Sequence, residues 1–249
     1  MIVRKSQAEI EIMREAGRVS ARALRLVGEA VAAGVTTFEL DEIAESAIRA
    51  DGGVPAFKGY HGFPKTLCTS INCQVVHGIP SEMIKLRSGD IISVDVGAIV
   101  DGYYGDNART FPVGVISDEA TRLLAATKAS LDAGIEQARS GNHLFDIGAA
   151  VQGVAEGAGF SVVREYVGHG IGRNMHEDPN VPNYGVAGKG PRLEVGMVLA
   201  IEPMVNAGSA SVDALPDGWT VVTRDGRLSA HFEHTVAITA DGPILLTVE

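Results

Sequence analysis

Ile91-Ile-Ser-Val-Asp-Val-Gly-Ala-Ile-Val-Asp-Gly-Tyr-Tyr-Gly-Asp-Asn-Ala-Arg109 is the stretch on which the architecture turns. Strand alternation sends Ile92, Val94 and Val96 to one side and Ser93, Asp95 and Gly97 to the other. Asp101-Gly102 is a strong signal for a two-residue hairpin loop, because both positions tolerate the positive φ that such a loop needs. That loop sets Gly97 opposite Asp106 and Asp95 opposite Ala108. Asp95 and Asp106 then become diagonal neighbours on one face, about 7–8 Å apart at the backbone. Gly97 is expected to leave open space beside them. Burying an unpaired carboxylate costs several kcal/mol, so something positive is expected between the two. A pair neutralised by Arg109 or another base is the plainer alternative.

The organisation on either side of the hairpin repeats. Ser6 with Glu9 reads as a capping box, followed by Ile10, Met13, Gly17, Leu24 and Val31 at helical spacing to about Gly34. A second helix opens at Thr36 with Glu39 three residues on, and Gly52-Gly53 ends it. Val54 to Val115 is strand-like. Ser117 then caps a helix carrying Leu123, Leu124, Leu131 and Ile135, a helix spans Leu144–Ala158, and strands and loops run from Phe160 to the end. Two helices then strands, twice over, predicts an α+β fold of two pseudo-equivalent halves, about 1–115 and 116–249, within a single domain of residues 1–249.

Composition narrows the function. With 21 basic against 31 acidic side chains the formal net charge is −10, which argues against general attraction to nucleic acid or anionic membranes. No apolar run reaches the ~18–20 residues of a membrane span, and Met1-Ile-Val-Arg-Lys5 lacks the layout of a signal peptide. Cys68 and Cys73 are the only cysteines, which makes a reduced, cytoplasmic setting the expectation. No phosphate loop, dinucleotide fingerprint or Gly-x-Ser-x-Gly elbow occurs.

Further acids sit in apolar surroundings. Met197-Val-Leu-Ala-Ile201 ends in Glu202-Pro203, and Pro203 marks a strand end because it donates no ladder bond. His231-Phe-Glu-His-Thr-Val-Ala-Ile238 alternates as one strand, with His231, Glu233, Thr235 and Ala237 on one side. One such acid is usually a salt-bridge partner; four begin to resemble a metal cage. His169 lies between glycines in Tyr166-Val-Gly-His-Gly-Ile-Gly172, His176 opens His176-Glu-Asp-Pro179, and His77 sits in a tight turn. Each histidine taken singly also reads as a hydrogen-bonded structural residue.

Taken together, Asp95-Val-Gly97 with Gly105-Asp106, Gly168-His-Gly-Ile-Gly172 with His176-Glu-Asp-Pro179, Ala200-Ile-Glu-Pro203 and Phe232-Glu-His-Thr235 match, in order and spacing, the motifs of one family. The chain resembles the type I methionine aminopeptidases over essentially its whole length. The resemblance implies a pita-bread fold and a dinuclear site with Asp95, Asp106, His169, Glu202 and Glu233 as ligands. The two divalent ions would be drawn from Mn²⁺, Fe²⁺, Co²⁺ and Zn²⁺. It implies metal-activated water attacking the first peptide bond, Glu202 as proton shuttle, His176 at the oxyanion and His77 at the scissile amide. It places Tyr60, Phe63, Cys68, Met175 and Trp219 around the methionine side chain, where core packing is the alternative for each. The expected substrates are nascent peptide N-termini with a small second residue, and the expected state is a monomer.

The chain departs from the family at His231, where glutamine is commoner, and Phe57 and Met175 reshape the pocket rim. The zinc-binding N-terminal extension of some relatives and the large insertion of type II enzymes have no counterpart in the sequence. Gly97, Gly105, Gly168, Gly170 and Gly172 are expected to make room for ions and substrate. Arg14, Arg18, Arg22 and Arg25 fall within about an 80° arc of the first helix, suiting a transient ribosome contact or a solvated face balanced by Glu11 and Glu15. Two rival functions are an Xaa-Pro peptidase of the same fold and a binding module that has lost its metals.

Overall fold

Capping sets where the helices begin. A computed structural model describes residues 1–249, and in it α1 (Gln7–Ala30) starts at Ser6, whose hydroxyl accepts from Glu9 N while the Glu9 carboxylate accepts from Ser6 N. The same reciprocal box, Thr36 with Glu39, opens α2 (Thr37–Ala50). Ser117 caps α3 (Asp118–Gln137), and the Asp146 carboxylate accepts from His143 N at the start of α4 (Leu144–Gly157). The first helix stops at Ala30, short of the Gly34 its periodicity suggested. The chain leaves the helix because Gly34 N donates to Leu86 O and Leu86 N donates to Val35 O, a tertiary pairing that competes with another turn. No helix is long and apolar enough to cross a membrane.

The hairpin has the expected register. Strand Ile91–Val100 pairs with Tyr103–Pro112 so that Gly97 faces Asp106 and Asp95 faces Ala108, and Asp101 and Gly102 both have positive φ (49° and 77°). It forms the middle of a nine-stranded antiparallel sheet. Val54–Pro55 and Leu67–Ile71 flank one side, and on the other follow Glu233–Thr239, Val198–Ile201, Gly168–Gly170 and Glu177–Val181. Gly242–Leu245 adds to Glu233–Thr239. Two three-stranded sheets complete the fold.

The halves meet where Glu233 pairs with Ala108 and His234 with Asn107. Helices cover one face of the large sheet. Ile92, Val94, Val96 and Ala98 pack with Val27, Leu40 and Ile48 from α1 and α2, while Leu123, Leu131, Ile147 and Val151 from α3 and α4 pack with Leu199, Ile201, Val236 and Ile238. The order of two helices then strands, repeated, and the curled antiparallel sheet are the α+β pita-bread arrangement.

Residues 231–238 do not form one strand. Ser229–His231 pairs with Met204–Asn206 in a small sheet, the chain breaks at Phe232, and Glu233 begins the central strand. Thr110 enforces the break, since its hydroxyl accepts from His231 N and donates to His231 O, pulling that residue out of the ladder.

The glycines near the hairpin also differ from expectation. They allow protein to meet protein. A Cβ on Gly97 would lie 2.8 Å from Ala56 Cβ and from Phe57 Cε1, so the space beside the two aspartates is filled. A Cβ on Gly105 would lie 2.5 Å from Gly17 N of α1, on the face away from the carboxylates.

Candidate metal centre

The hairpin supplies the first two acids. Asp106 is locked to the second half through Thr235, whose hydroxyl accepts from Asp106 N (3.0 Å) and donates to Asp106 O (2.8 Å). Glu233 lies two residues before that threonine and opposite Ala108, itself the partner of Asp95. Glu202 ends strand Val198–Ile201, where Pro203 halts the ladder, and its carbonyl accepts from Asn183 Nδ2. His169 pairs with Ala200 on the adjacent strand. Five residues from both halves thus converge. Donor atoms of Asp106, His169 and Glu233 lie within 4.8 Å of one another, and His169 Nε2 is 3.5 Å from Glu202 Oε1 and 4.0 Å from Asp106 Oδ2.

His169 is in the tautomer a ligand requires. Its Nδ1–H donates to the Gly170 carbonyl (2.9 Å), which leaves the Nε2 lone pair facing the carboxylates. Burial lowers its pKa to about 4, so the ring is neutral.

The four carboxylates have no positive partner. Arg109 is exposed on the opposite face, over the Phe111 ring, and no lysine or arginine lies within 4.0 Å of any of the four. The neutralising-base reading of the aspartate pair is thereby overturned. Burial pushes all four carboxyls up, Glu202 to about 8, and mutual repulsion adds to the effect for Asp106 and Glu233. Asp95 Oδ1, Asp106 Oδ1 and Glu233 Oε1 are buried without a hydrogen-bond partner. Four clustered buried acids, three of them with an orphaned oxygen, beside one imidazole lone pair, are a donor set that fits hard or borderline divalent cations.

A cavity of about 430 Å³ opens onto these donors. All the residues expected from the sequence, His77, His176, Tyr60, Phe63, Cys68, Met175 and Trp219, line it. Phe63 meets Trp219 edge-on at 5.0 Å between ring centres, and Met175 and Cys68 are buried in the same apolar cluster. Cys68 pairs with Asp95 across the strands, and burial raises its thiol pKa, which favours the protonated thiol over a thiolate nucleophile. The Tyr60 hydroxyl lies 2.8 Å from His176 Nδ1, and the His176 ring is tilted at 55° to that of His169 with 4.3 Å between centres. Partial burial, with His61 nearby, lowers the His176 pKa, and burial lowers that of His77 to about 4; both are neutral imidazoles.

His61 and His231 extend this set. His61 lines the rim in a left-handed conformation (φ 47°) between Gly59 and Gly62, a glycine-flanked signal the sequence reading passed over. His231, noted only as a departure, is buried with Nε2 3.6 Å from Glu202 Oε2. A larger cavity of about 510 Å³ lies between α1 and α3, but its acids Glu29 and Asp132 are each paired with a base, and it shares only Glu233 with the donor cluster.

Comparison with known proteins agrees with this geometry. Residues 11–240 match the model of metallopeptidase family M24. The chain is 54% identical to the methionine aminopeptidase of Clostridium acetobutylicum, covering 100% of this chain and 99% of that one. It is 53% identical to methionine aminopeptidase 1 of Bacillus subtilis, covering 99% of each. The crystal structure of methionine aminopeptidase from Thermotoga maritima superposes with a TM-score of 0.99 at 44% identity over the full length of both chains. A prolidase from Pyrococcus furiosus, at 22% identity and a TM-score of 0.75, shares the fold, and this chain covers 66% of it.

Proposed function

The chain belongs to metallopeptidase family M24, and from that premise we propose that it removes N-terminal methionine from nascent polypeptides using two divalent ions. The observation that carries the reading is the cluster of four buried carboxylates and one imidazole with no cationic side chain, opening onto an apolar cavity. Asp95, Asp106, His169, Glu202 and Glu233 would hold the ions. Bound there, the ions would supply Lewis acidity toward the scissile carbonyl and a water acidic enough to attack near neutral pH.

The side chains supply the rest. Glu202 lines the cavity, and its ionised carboxylate would accept a proton from the attacking water and deliver it to the leaving nitrogen. His176 and His77, both neutral, donate N–H bonds to the developing oxyanion and to the scissile amide. When the Tyr60 phenol donates to Nδ1, the His176 proton resides on Nε2, the nitrogen free to face substrate. Phe63, Cys68, Met175, Trp219 and the Tyr60 ring form an apolar wall suited to a thioether side chain. A small second residue is preferred.

All five donors come from one chain, with the two aspartates from the first half and the other three from the second. Residues 1–249 are accordingly read as one catalytic domain acting as a monomer in the cytoplasm. Arg14, Arg18, Arg22 and Arg25 each pair with an acid, Glu11, Glu15, Asp51 and Glu29 respectively. That pairing supports a solvated face over ribosome docking. Charge reversal at two of the arginines with unchanged salt-dependent ribosome binding would rule docking out.

Full-length likeness to methionine aminopeptidases, against a fold-only likeness to the longer prolidase, disfavours the Xaa-Pro reading. A module that lost its metals would have lost donors, and all five are present. Metal analysis combined with hydrolysis of Met-Gly-type against Xaa-Pro peptides tests the proposal. Inactivity with every divalent ion, or preference for Xaa-Pro, overturns it.

A further inference from the structure

The N-terminal segment reaches across the molecule to the loop that carries two of the pocket residues. Lys5 N donates to Gly196 O (2.6 Å), which ties the segment to the turn before strand Val198–Ile201. The Lys5 side chain then meets Glu177, with Nζ 2.7 Å from Oε2 and only 3% and 10% of the two side chains exposed. The other Glu177 oxygen, Oε1, accepts from Asn174 N (3.1 Å). Gly172 N donates to Asn174 O, and Gly170 pairs with Glu177 across the strands. The loop Arg173-Asn-Met-His176 is therefore closed at its base by one carboxylate, and that carboxylate is held by one lysine.

Gly172 shows how closely the parts are fitted. A Cβ there would lie 2.5 Å from Lys5 Cε and 2.8 Å from Glu177 Oε1, so the pair crosses directly over bare backbone. Asn174 is exposed and Arg173 lies over the Tyr103 ring (4.3 Å), whereas Met175 is buried in the pocket wall and His176 lines the cavity. A buried ion pair is a poor source of net stability, because desolvating both charges offsets their attraction. Its directional, charge-assisted bonds are well suited to fixing where a loop stands.

We propose that Lys5 and Glu177 are positioning residues for the reaction: their buried pair sets the height of the Arg173–His176 loop over the cavity and so the approach of His176 to substrate. This rests on the reading of His176 as a substrate-contacting donor. Neither residue touches the five metal donors, so the pair acts on geometry and leaves metal binding alone. A displacement of about 1 Å at a reacting group can cost on the order of 100-fold.

The test is a double-mutant cycle on a Met-Gly-type peptide with Lys5→Met, Glu177→Gln and His176→Ala. Lys5→Met is expected to lower kcat roughly 10- to 100-fold, with metal content and calorimetric metal affinity unchanged. On the His176→Ala background the same change is expected to cost less than about twofold, because its route to the chemistry is already gone. An equal loss on both backgrounds would overturn the proposal. A silent His176→Ala would overturn the reading of His176 itself, and the clamp's role with it. Because Lys5→Met leaves a buried carboxylate, the apolar double variant Lys5→Met/Glu177→Leu serves as the folding-competent check. It is expected to keep a near-native Tm and still show reduced kcat, and native kcat there would refute the clamp.

Discussion

Metal-free protein should lose stability as pH rises from about 6.5 to 8, opposite to the trend for a protein stabilised by salt-bridged acids; below 6.5 the buried His77 and His169, held near 4, titrate in the opposing sense. In the folded chain burial holds the Glu202 carboxyl near 8, against an ordinary value of 4.5 that the unfolded chain recovers. Below pH 4.5 both states are protonated and nothing is lost. Between 4.5 and 8 the folded state binds the proton and the unfolded state does not, so unfolding becomes easier with each pH unit. Above 8 both are ionised and the dependence ends. At about 1.4 kcal/mol per unit this one group is worth roughly 5 kcal/mol across the window. For a chain of this length that is about 10–20 °C in Tm. Asp95, Asp106 and Glu233 are raised as well and push in the same direction.

The assay is thermal unfolding of chelator-treated protein at low salt across pH 5–8.5, repeated with saturating Mn²⁺ or Co²⁺. The metal-free Tm should fall above pH 6.5, and the gap to the loaded protein should widen there, since ions that bind only the folded state stabilise it by mass action. Glu202→Gln should flatten the metal-free slope. A metal-free Tm that is level or rises between pH 6.5 and 8 would refute the claim that these acids are buried without counter-charge.

Four other substitutions test the same geometry. Asp106→Asn removes a proposed metal donor and should cost at least one ion per chain by elemental analysis; full occupancy with normal activity would refute the cage. His176→Ala and His77→Ala should each lower kcat by roughly 10²–10³, the scale of one lost oxyanion donor, with metal retained; metal loss on replacing His176 would make it a ligand instead. Gly105→Ala sets a Cβ 2.5 Å from Gly17 N and should destabilise by about 1–3 kcal/mol in denaturant unfolding, and an unchanged midpoint would mean α1 yields.

Much of the scaffold was legible because its causes are local. The Ser6–Glu9 and Thr36–Glu39 boxes act over one turn, so sequence placed both helix starts correctly. The Asp101-Gly102 loop dictates the hairpin register within a few residues, and with it the Asp95–Asp106 face. Errors arose where a distant partner intervened. Leu86 ended α1 early, and Thr110 split residues 231–238 between two sheets. The glycines beside the ligands are small because backbone and side chains from distant segments press on them, a pressure that no window of sequence contains.

By itself, then, the sequence determined the helices, the hairpin and which residue types were available to hold metal, since capping, alternation and turn chemistry operate at short range. Tertiary structure alone decided that Glu202 and Glu233 reach the aspartates of the hairpin, that Arg109 turns away from them, and that Lys5 meets Glu177 beneath the His176 loop. The reason is physical: burial and the absence of a counter-charge are properties of everything packed around a group, and here the surroundings come from both halves of the chain.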